Sequence, residues 1–260
     1  MSLVRFEIMD ESYGVLTLDR ADKFNALSME LLEELSAKIA EVTGLARAHR
    51  IRAVVLESST RKAFCAGADL KERMAMTEIQ VGEALDRLRS VMDGIAGIPV
   101  PTIAAVEGIA FGGGLELALA CDLRIASNDA QMGLIETKLA IIPGAGGTQR
   151  LARTIGLAKA KELIFRGTKL SGAEALSIGL VNWIAADPRE VAHGWAREIT
   201  DAGPVALQAA KRALDFGVHL DLAAALDLER ACYDTTLSTE DRLEGLAAFS
   251  EKRKAVYKGA

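Results

Sequence analysis

Two glutamates, each close to turns of nearly bare backbone, are the residues here whose types and spacing could do chemistry. Glu116 lies in Phe111-Gly112-Gly113-Gly114-Leu115-Glu116-Leu117-Ala118, where three glycines strip every Cβ from a turn and a run of strong helix formers follows at once. N–H groups at such a helix start point outward unpaired, and the helix dipole adds partial positive charge, so the turn is an anion site in outline. Leu115, Leu117 and Leu119 surround Glu116 with apolar side chains. Glu136 follows in Gly133-Leu134-Ile135-Glu136-Thr137-Lys138-Leu139, ahead of a second glycine loop, Pro143-Gly144-Ala145-Gly146-Gly147-Thr148-Gln149-Arg150. Taken singly, a glycine triplet is tight packing and a glutamate near a helix start is half of a cap. Together, two carboxylates near backbone donors form the set needed to move a proton beside a stabilised oxyanion.

A second source of donors is the small-residue run Ala66-Gly67-Ala68 within Lys62-Ala63-Phe64-Cys65-Ala66-Gly67-Ala68-Asp69-Leu70-Lys71. The alternative there is a plain strand-to-helix turn capped by Asp69.

Other chemistries lose support. The three histidines, His49, His193 and His219, stand in polar or helical-looking segments, and no Gly-x-Ser-x-Gly elbow accompanies them, which argues against a histidine-dependent hydrolase. No His-Glu-x-x-His, Walker A loop or strand-linked Gly-x-Gly-x-x-Gly is present, so no metal is expected. Cys65, Cys121 and Cys232 are few, odd in number and far apart, and read as small buried hydrophobes. A net charge of −5 gives no global field toward nucleic acid or an anionic membrane. No apolar run reaches the ~18 residues of a membrane span. Met1-Ser2-Leu3-Val4-Arg5 opens no secretory pattern, so the expectation is a soluble cytoplasmic protein, or an organelle-matrix one if the chain is a mature eukaryotic form.

The elements that must carry these residues alternate. Strands are expected over 4–8 and 15–18, joined by a turn over 10–14, and over 53–57, 102–106, 123–126 and 180–184. Ser28 is expected to cap a helix with Leu31, Leu32, Leu35 and Ile39 on one face, and 72–95 reads as one long helix. Helices are further expected over 149–155 and 159–165, from the capping box Ser171-Gly172-Ala173-Glu174, and over 190–200, 205–216, 222–235 and 241–254. The pattern is α/β to about residue 185 with a helical tail from 186 to 260, and no linker marks an independent second domain.

With these motifs in view, the chain resembles the crotonase (enoyl-CoA hydratase/isomerase) family over essentially its whole length. The match runs through the 62–70 segment, Gly112-Gly113-Gly114-Leu115-Glu116-Leu117-Ala118, Glu136 and the loop from Pro143 to Arg150. Within the family it is most similar to the methylglutaconyl-CoA hydratase branch, through the segments from Phe64 to Arg73, from Met132 to Pro143 and from Asp241 to Leu246. The resemblance implies a crotonase-like spiral of repeated β-β-α units over 1–185, with the active site. It implies an all-helical C-terminal trimerisation region over 186–260, with trimers commonly paired into hexamers. The substrate would be a coenzyme A thioester, with no separate cofactor and no nucleic-acid or membrane partner.

The residue roles implied by the resemblance are specific. The oxyanion hole falls on the N–H groups of Ala66 and Gly113, and the catalytic glutamates on Glu116 and Glu136. Glu116 is assigned to activating water and Glu136 to delivering a proton, with Gly144 helping to orient the site. Coenzyme A contacts fall on Lys23, on Lys62, Ala63, Ala66, Gly67, Ala68, Asp69 and Leu70, and on Tyr233, Phe249 and Lys252, the last three from a neighbouring subunit. Lys71 and Arg73 are candidates to face a distal carboxylate on the acyl group. A double-bond isomerase is the alternative within the family, although glutamate at both positions favours hydration. An RNA-binding relative and a catalytically idle trimer are the readings from other classes.

Overall fold

The structure, a computed structural model, describes residues 2–10 and 12–260; Met1 lies outside them, as does Glu11 in the expected turn between the first two strands. The strands are β1 (Val4–Met9), β2 (Tyr13–Leu18), β3 (Val54–Ser58), β4 (Ala63–Cys65), β5 (Thr102–Val106), β6 (Ile109–Phe111), β7 (Leu123–Ser127), β8 (Gln131–Gly133), β9 (Leu170–Ser171) and β10 (Trp183–Ala185). The helices are α1 (Met29–Arg47), α2 (Leu70–Met74), α3 (Glu78–Ala96), α4 (Gly113–Ala120), α5 (Gly147–Ile155), α6 (Leu157–Arg166), α7 (Gly172–Ser177), α8 (Pro188–Thr200), α9 (Pro204–Gly217), α10 (Leu222–Leu237) and α11 (Glu240–Glu251).

The strands fall into two sheets, ordered β1-β2-β3-β5-β7-β10 and β4-β6-β8-β9. The chain therefore visits the larger sheet, then the smaller, then a helix, and repeats: β3-β4 leads to α2 and α3, and β5-β6 to α4. That is the spiral of β-β-α turns expected from the resemblance. Successive turns add strands in parallel, β3 to β5 to β7 and β4 to β6 to β8, a pairing that needs crossover connections between them. Strands β4, β6 and β8 were not legible, because three residues are too few to show an alternating pattern.

The apolar faces sit where period predicts. Leu31, Leu32, Leu35 and Ile39 of α1 are buried in the main core with Leu16, Leu56 and Phe64, and Ser28 accepts from Leu31 N–H as the helix cap. The helix expected over 72–95 is two helices. Asp69 caps α2, and Thr77 starts α3 with a full capping box to Gln80, so the chain turns between them. Helix α8 lays Ala192 and Ala196 on the other face of the large sheet, against Tyr13, Val15, Ile103 and Ile125. The helical tail thus begins as part of the core.

Arg124 of β7 fixes the far end of the Glu116 helix. Its guanidinium donates to the carbonyls of Cys121 at 2.7 Å, Leu180 at 2.8 Å and Ala118 at 3.3 Å, closing the C-terminus of α4. Replacing it by Met keeps the bulk but leaves buried carbonyls unpaired, at about 1–3 kcal/mol each. Arg124→Met is expected to cost about 3 kcal/mol of stability, read from urea unfolding.

Candidate active site

Helix α4 begins where the backbone crosses its neighbours too closely for side chains. A Cβ on Gly114 would stand 2.0 Å from the carbonyl oxygen of Cys65, and Gly112 adopts φ +50°, so neither position accepts another residue without displacement. The crossing brings the start of α4 onto the loop after β4: a Cβ on Gly113 would lie 3.7 Å from the nitrogen of Ala68.

The sequence reading placed the second donor on Ala66, and the structure corrects this. Ala66 N–H is spent on the carbonyl of Phe24, at 2.9 Å. Ala68 instead forms a parallel bridge with Leu27, and such a bridge uses the groups on either side of the bridging residue. Leu27 N–H donates to Gly67 O and Asp69 N–H to Leu27 O, which leaves the Ala68 amide directed away from the bridge. Among the described residues neither Ala68 N–H nor Gly113 N–H has a backbone acceptor. The strap over 20–28 that imposes this is pinned by Asn25, fully buried at φ +54°, whose amide donates to Ser58 Oγ and to the carbonyls of Ala63 and Phe64.

Glu116 is 1% exposed, and its Oε1 accepts from Ala145 N–H at 2.8 Å and Gly147 N–H at 2.7 Å. Burial raises its pKa, and those two amides, followed by Arg150 and Arg89, pull the other way. Glu136 opens a 3-10 turn over Glu136–Leu139, with its Oε1 3.1 Å from where a Cβ on Gly112 would stand. Its Oε2 is buried without a hydrogen-bond partner among the described residues. Desolvation, with a smaller push from the charge of Glu116, raises its pKa to about 7. The carboxylates therefore share one field beside the free amides: burial raises the pKa of both, two N–H groups oppose that rise at Glu116, and Glu136 stands higher, at about 7.

The remaining expected residues divide. Gly144 does not itself touch either glutamate; its carbonyl accepts from Arg89 and its α-carbon faces Leu85, while its neighbours Ala145 and Gly147 make the orienting bonds the sequence reading missed. The only signal for them was the run of small residues, which does not say which amide points where. Asp69 spends its carboxylate on Arg20 at 2.8 Å and on the first turn of α2, and Ala63 is buried in β4. Leu70, Lys23 and Lys62 are exposed around the loop, as is Lys71, while Gly67 is buried and Arg73 half-buried. Ion pairs of the described lysines use Lys38, Lys159, Lys211 and Lys254, leaving Lys23, Lys62, Lys71 and Lys252 without a carboxylate partner among the described residues. Tyr233 and Phe249 are exposed on α10 and α11, Lys252 just beyond, and none of the three bonds to the 62–70 loop. A cavity of about 580 Å³ lies between α11 and the C-terminal tail, lined by residues such as Leu243, Glu244 and Val256 and by neither glutamate.

Residues 9–260 match the enoyl-CoA hydratase/isomerase family. The chain belongs to that family. It is 51% identical over 258 residues to a mitochondrial methylglutaconyl-CoA hydratase of Mus musculus, covering 96% of this chain and 81% of that one. Against the Homo sapiens protein of the same name the identity is 49%, covering 96% and 75%. The crystal structure of an enoyl-CoA hydratase from Bacillus anthracis superposes with a TM-score of 0.96 at 45% identity, covering 99% of this chain and all of that one. The enoyl-CoA hydratase fold and the hydro-lyase class expected from the motifs are thereby established. No helix among the described residues is long and apolar enough to cross a membrane.

Proposed function

We propose that this hydratase adds water across the 2,3 double bond of a branched enoyl-CoA, 3-methylglutaconyl-CoA, with Glu116 as base and Glu136 as acid. The observation that carries the reading is the pair of unpartnered amides, Ala68 and Gly113, beside two carboxylates of unequal proton affinity. The thioester carbonyl oxygen accepts from both amides. Glu116 removes a proton from water as the water oxygen bonds to C3; the double-bond electrons move onto the thioester oxygen as an enolate, which collapses as C2 takes the proton of Glu136. The step ends with Glu116 protonated and Glu136 ionised, and exchange with solvent restores the pair. The thioester, water and these groups suffice for it.

The unpaired cations Lys23 and Lys62 suit the phosphates of coenzyme A, and the exposed Leu70 suits its apolar arm. Tyr233, Phe249 and Lys252 are offered to a neighbouring copy's ligand. Assembly into trimers is supported by the apolar side chains that α9 to α11 leave in solvent, such as Leu222 at 75% and Phe249 at 87% exposed. A soluble compartment that holds acyl-CoA, cytoplasm or organelle matrix, fits this reading.

The choice of acyl group rests on the methylglutaconyl-CoA hydratase relatives and on cations close to the oxyanion loop, Lys71 and Arg73, that can meet a distal carboxylate. Side-by-side kcat/KM on 3-methylglutaconyl-CoA and crotonyl-CoA tests it. Preference for the former by ten-fold or more is expected, with Lys71→Ala or Arg73→Ala reducing that preference by about ten-fold and sparing crotonyl-CoA. Equal use of the two thioesters would overturn the assignment.

A further inference from the structure

The amides that hold Glu116 belong to a loop that is itself held from behind. Arg150 of α5 donates from one guanidinium nitrogen to the carbonyl of Ala145 at 2.9 Å and from the other to Asp93 of α3 at 2.7 Å. Arg89, one turn before Asp93 on α3, reaches the carbonyl of Gly144 at 3.4 Å. Gly146 makes the clamp possible: it lies at φ +100°, and a Cβ there would stand 2.3 Å from the Arg150 nitrogen. Beyond the guanidinium is a cavity of about 320 Å³ bordered also by Arg153 and His219, so Arg150 is not filling an apolar core.

We propose that Arg150 is a positioning residue for the water-activating carboxylate: bridging the Ala145 carbonyl to Asp93, it fixes the loop where Ala145 and Gly147 N–H meet Glu116 Oε1. It touches no substrate and acts through two peptides. Its charge works in the same direction as its geometry, since Arg150 and Arg89 both favour the ionised form of Glu116 against burial. The charged groups acting on Glu116 are these two arginines, Arg150 being paired with Asp93 of α3, and the charge of Glu116 is felt in turn by Glu136 in the 3-10 turn. The Cys65 thiol of β4 donates instead to the carbonyl of Asn25, and burial pushes its pKa up to about 12 and keeps it neutral. Strand β6 brings no titratable side chain.

The inference rests on Glu116 being the base, and its test separates the two ideas. In the full-length enzyme with crotonyl-CoA, Arg150→Met is expected to move the acid limb of kcat/KM up by about one pH unit, with the rate loss greatest at low pH. Arg150→Lys keeps the charge but not the two-pronged bridge; it is expected to return the limb most of the way while kcat stays reduced. Arg153→Met, whose guanidinium bonds Gln149 and no other residue among those described, leaves the profile in place. A fall in kcat and Tm by the same factor at every pH, with the limb unmoved, would reduce Arg150 to a structural residue. If instead Glu116→Gln keeps full activity, the base assignment itself fails.

Discussion

Glu136→Gln is expected to lower kcat for hydration by about 10²- to 10⁴-fold, the usual worth of a positioned general acid. Glutamine preserves the shape of the side chain and removes the proton that C2 must receive. The pKa of Glu136 stands near 7 because its carboxyl is buried and close to Glu116, so the donating form is abundant up to neutrality and scarce above it. Wild-type kcat should therefore fall as pH rises through about 7, and the variant should lack that limb. A stability measurement separates catalysis from misfolding. A carboxyl whose pKa is raised on folding contributes most below its unfolded pKa, about 4.5, and loses that contribution as pH rises through 7. Glu136→Gln should thus be the more thermostable protein above pH 7, with the difference closing in acid. Glu116→Gln is expected to cost a comparable factor in kcat, since the amide oxygen can still accept from Ala145 and Gly147 but cannot take a proton from water. Full hydratase activity in either variant would remove that residue from the mechanism.

The second large effect concerns a single hydrogen. Gly113→Pro is expected to reduce kcat by about 10²- to 10³-fold, the cost of one oxyanion donor. Gly113 is the first residue of α4, a position where proline is favoured because its fixed φ suits the helix and the missing N–H has no partner within it. The substitution should remove the donor and leave the helix. Gly113→Ala is the control: it carries the same new Cβ, 3.0 Å from the movable Cδ1 of Leu27, yet retains the N–H. Alanine is expected to keep activity within about ten-fold of wild type, so the gap between the variants isolates the amide. Equal losses in the two would mean that crowding against Leu27, not a missing donor, sets the rate.

Both experiments draw on features of different legibility. Glu116, Glu136 and the glycine triplet were visible because identity and local order suffice: a carboxylate can be named from the chain, and a glycine run announces a turn without Cβ atoms. The helices carried their own punctuation, as in the Ser171 capping box. Strands of three residues carried none, and neither did the break at Thr77 inside an otherwise helical pattern.

What the sequence determined by itself was the set of chemical groups, the alternation of strand and helix, and the family to which they belong. Tertiary structure decided which backbone groups remain free. Ala66 and Ala68 are the same residue type two positions apart, and the chain alone does not rank them; Phe24 and Leu27, from a distant strap, consume one amide and turn the other outward. Likewise the loop after Pro143 shows only small residues, while its bonds to Glu116 and its clamp by Arg150 exist because α3, α4 and α5 pack together. A side chain's chemistry is local, but whether a peptide N–H is spent or available depends on whichever segment folding brings beside it.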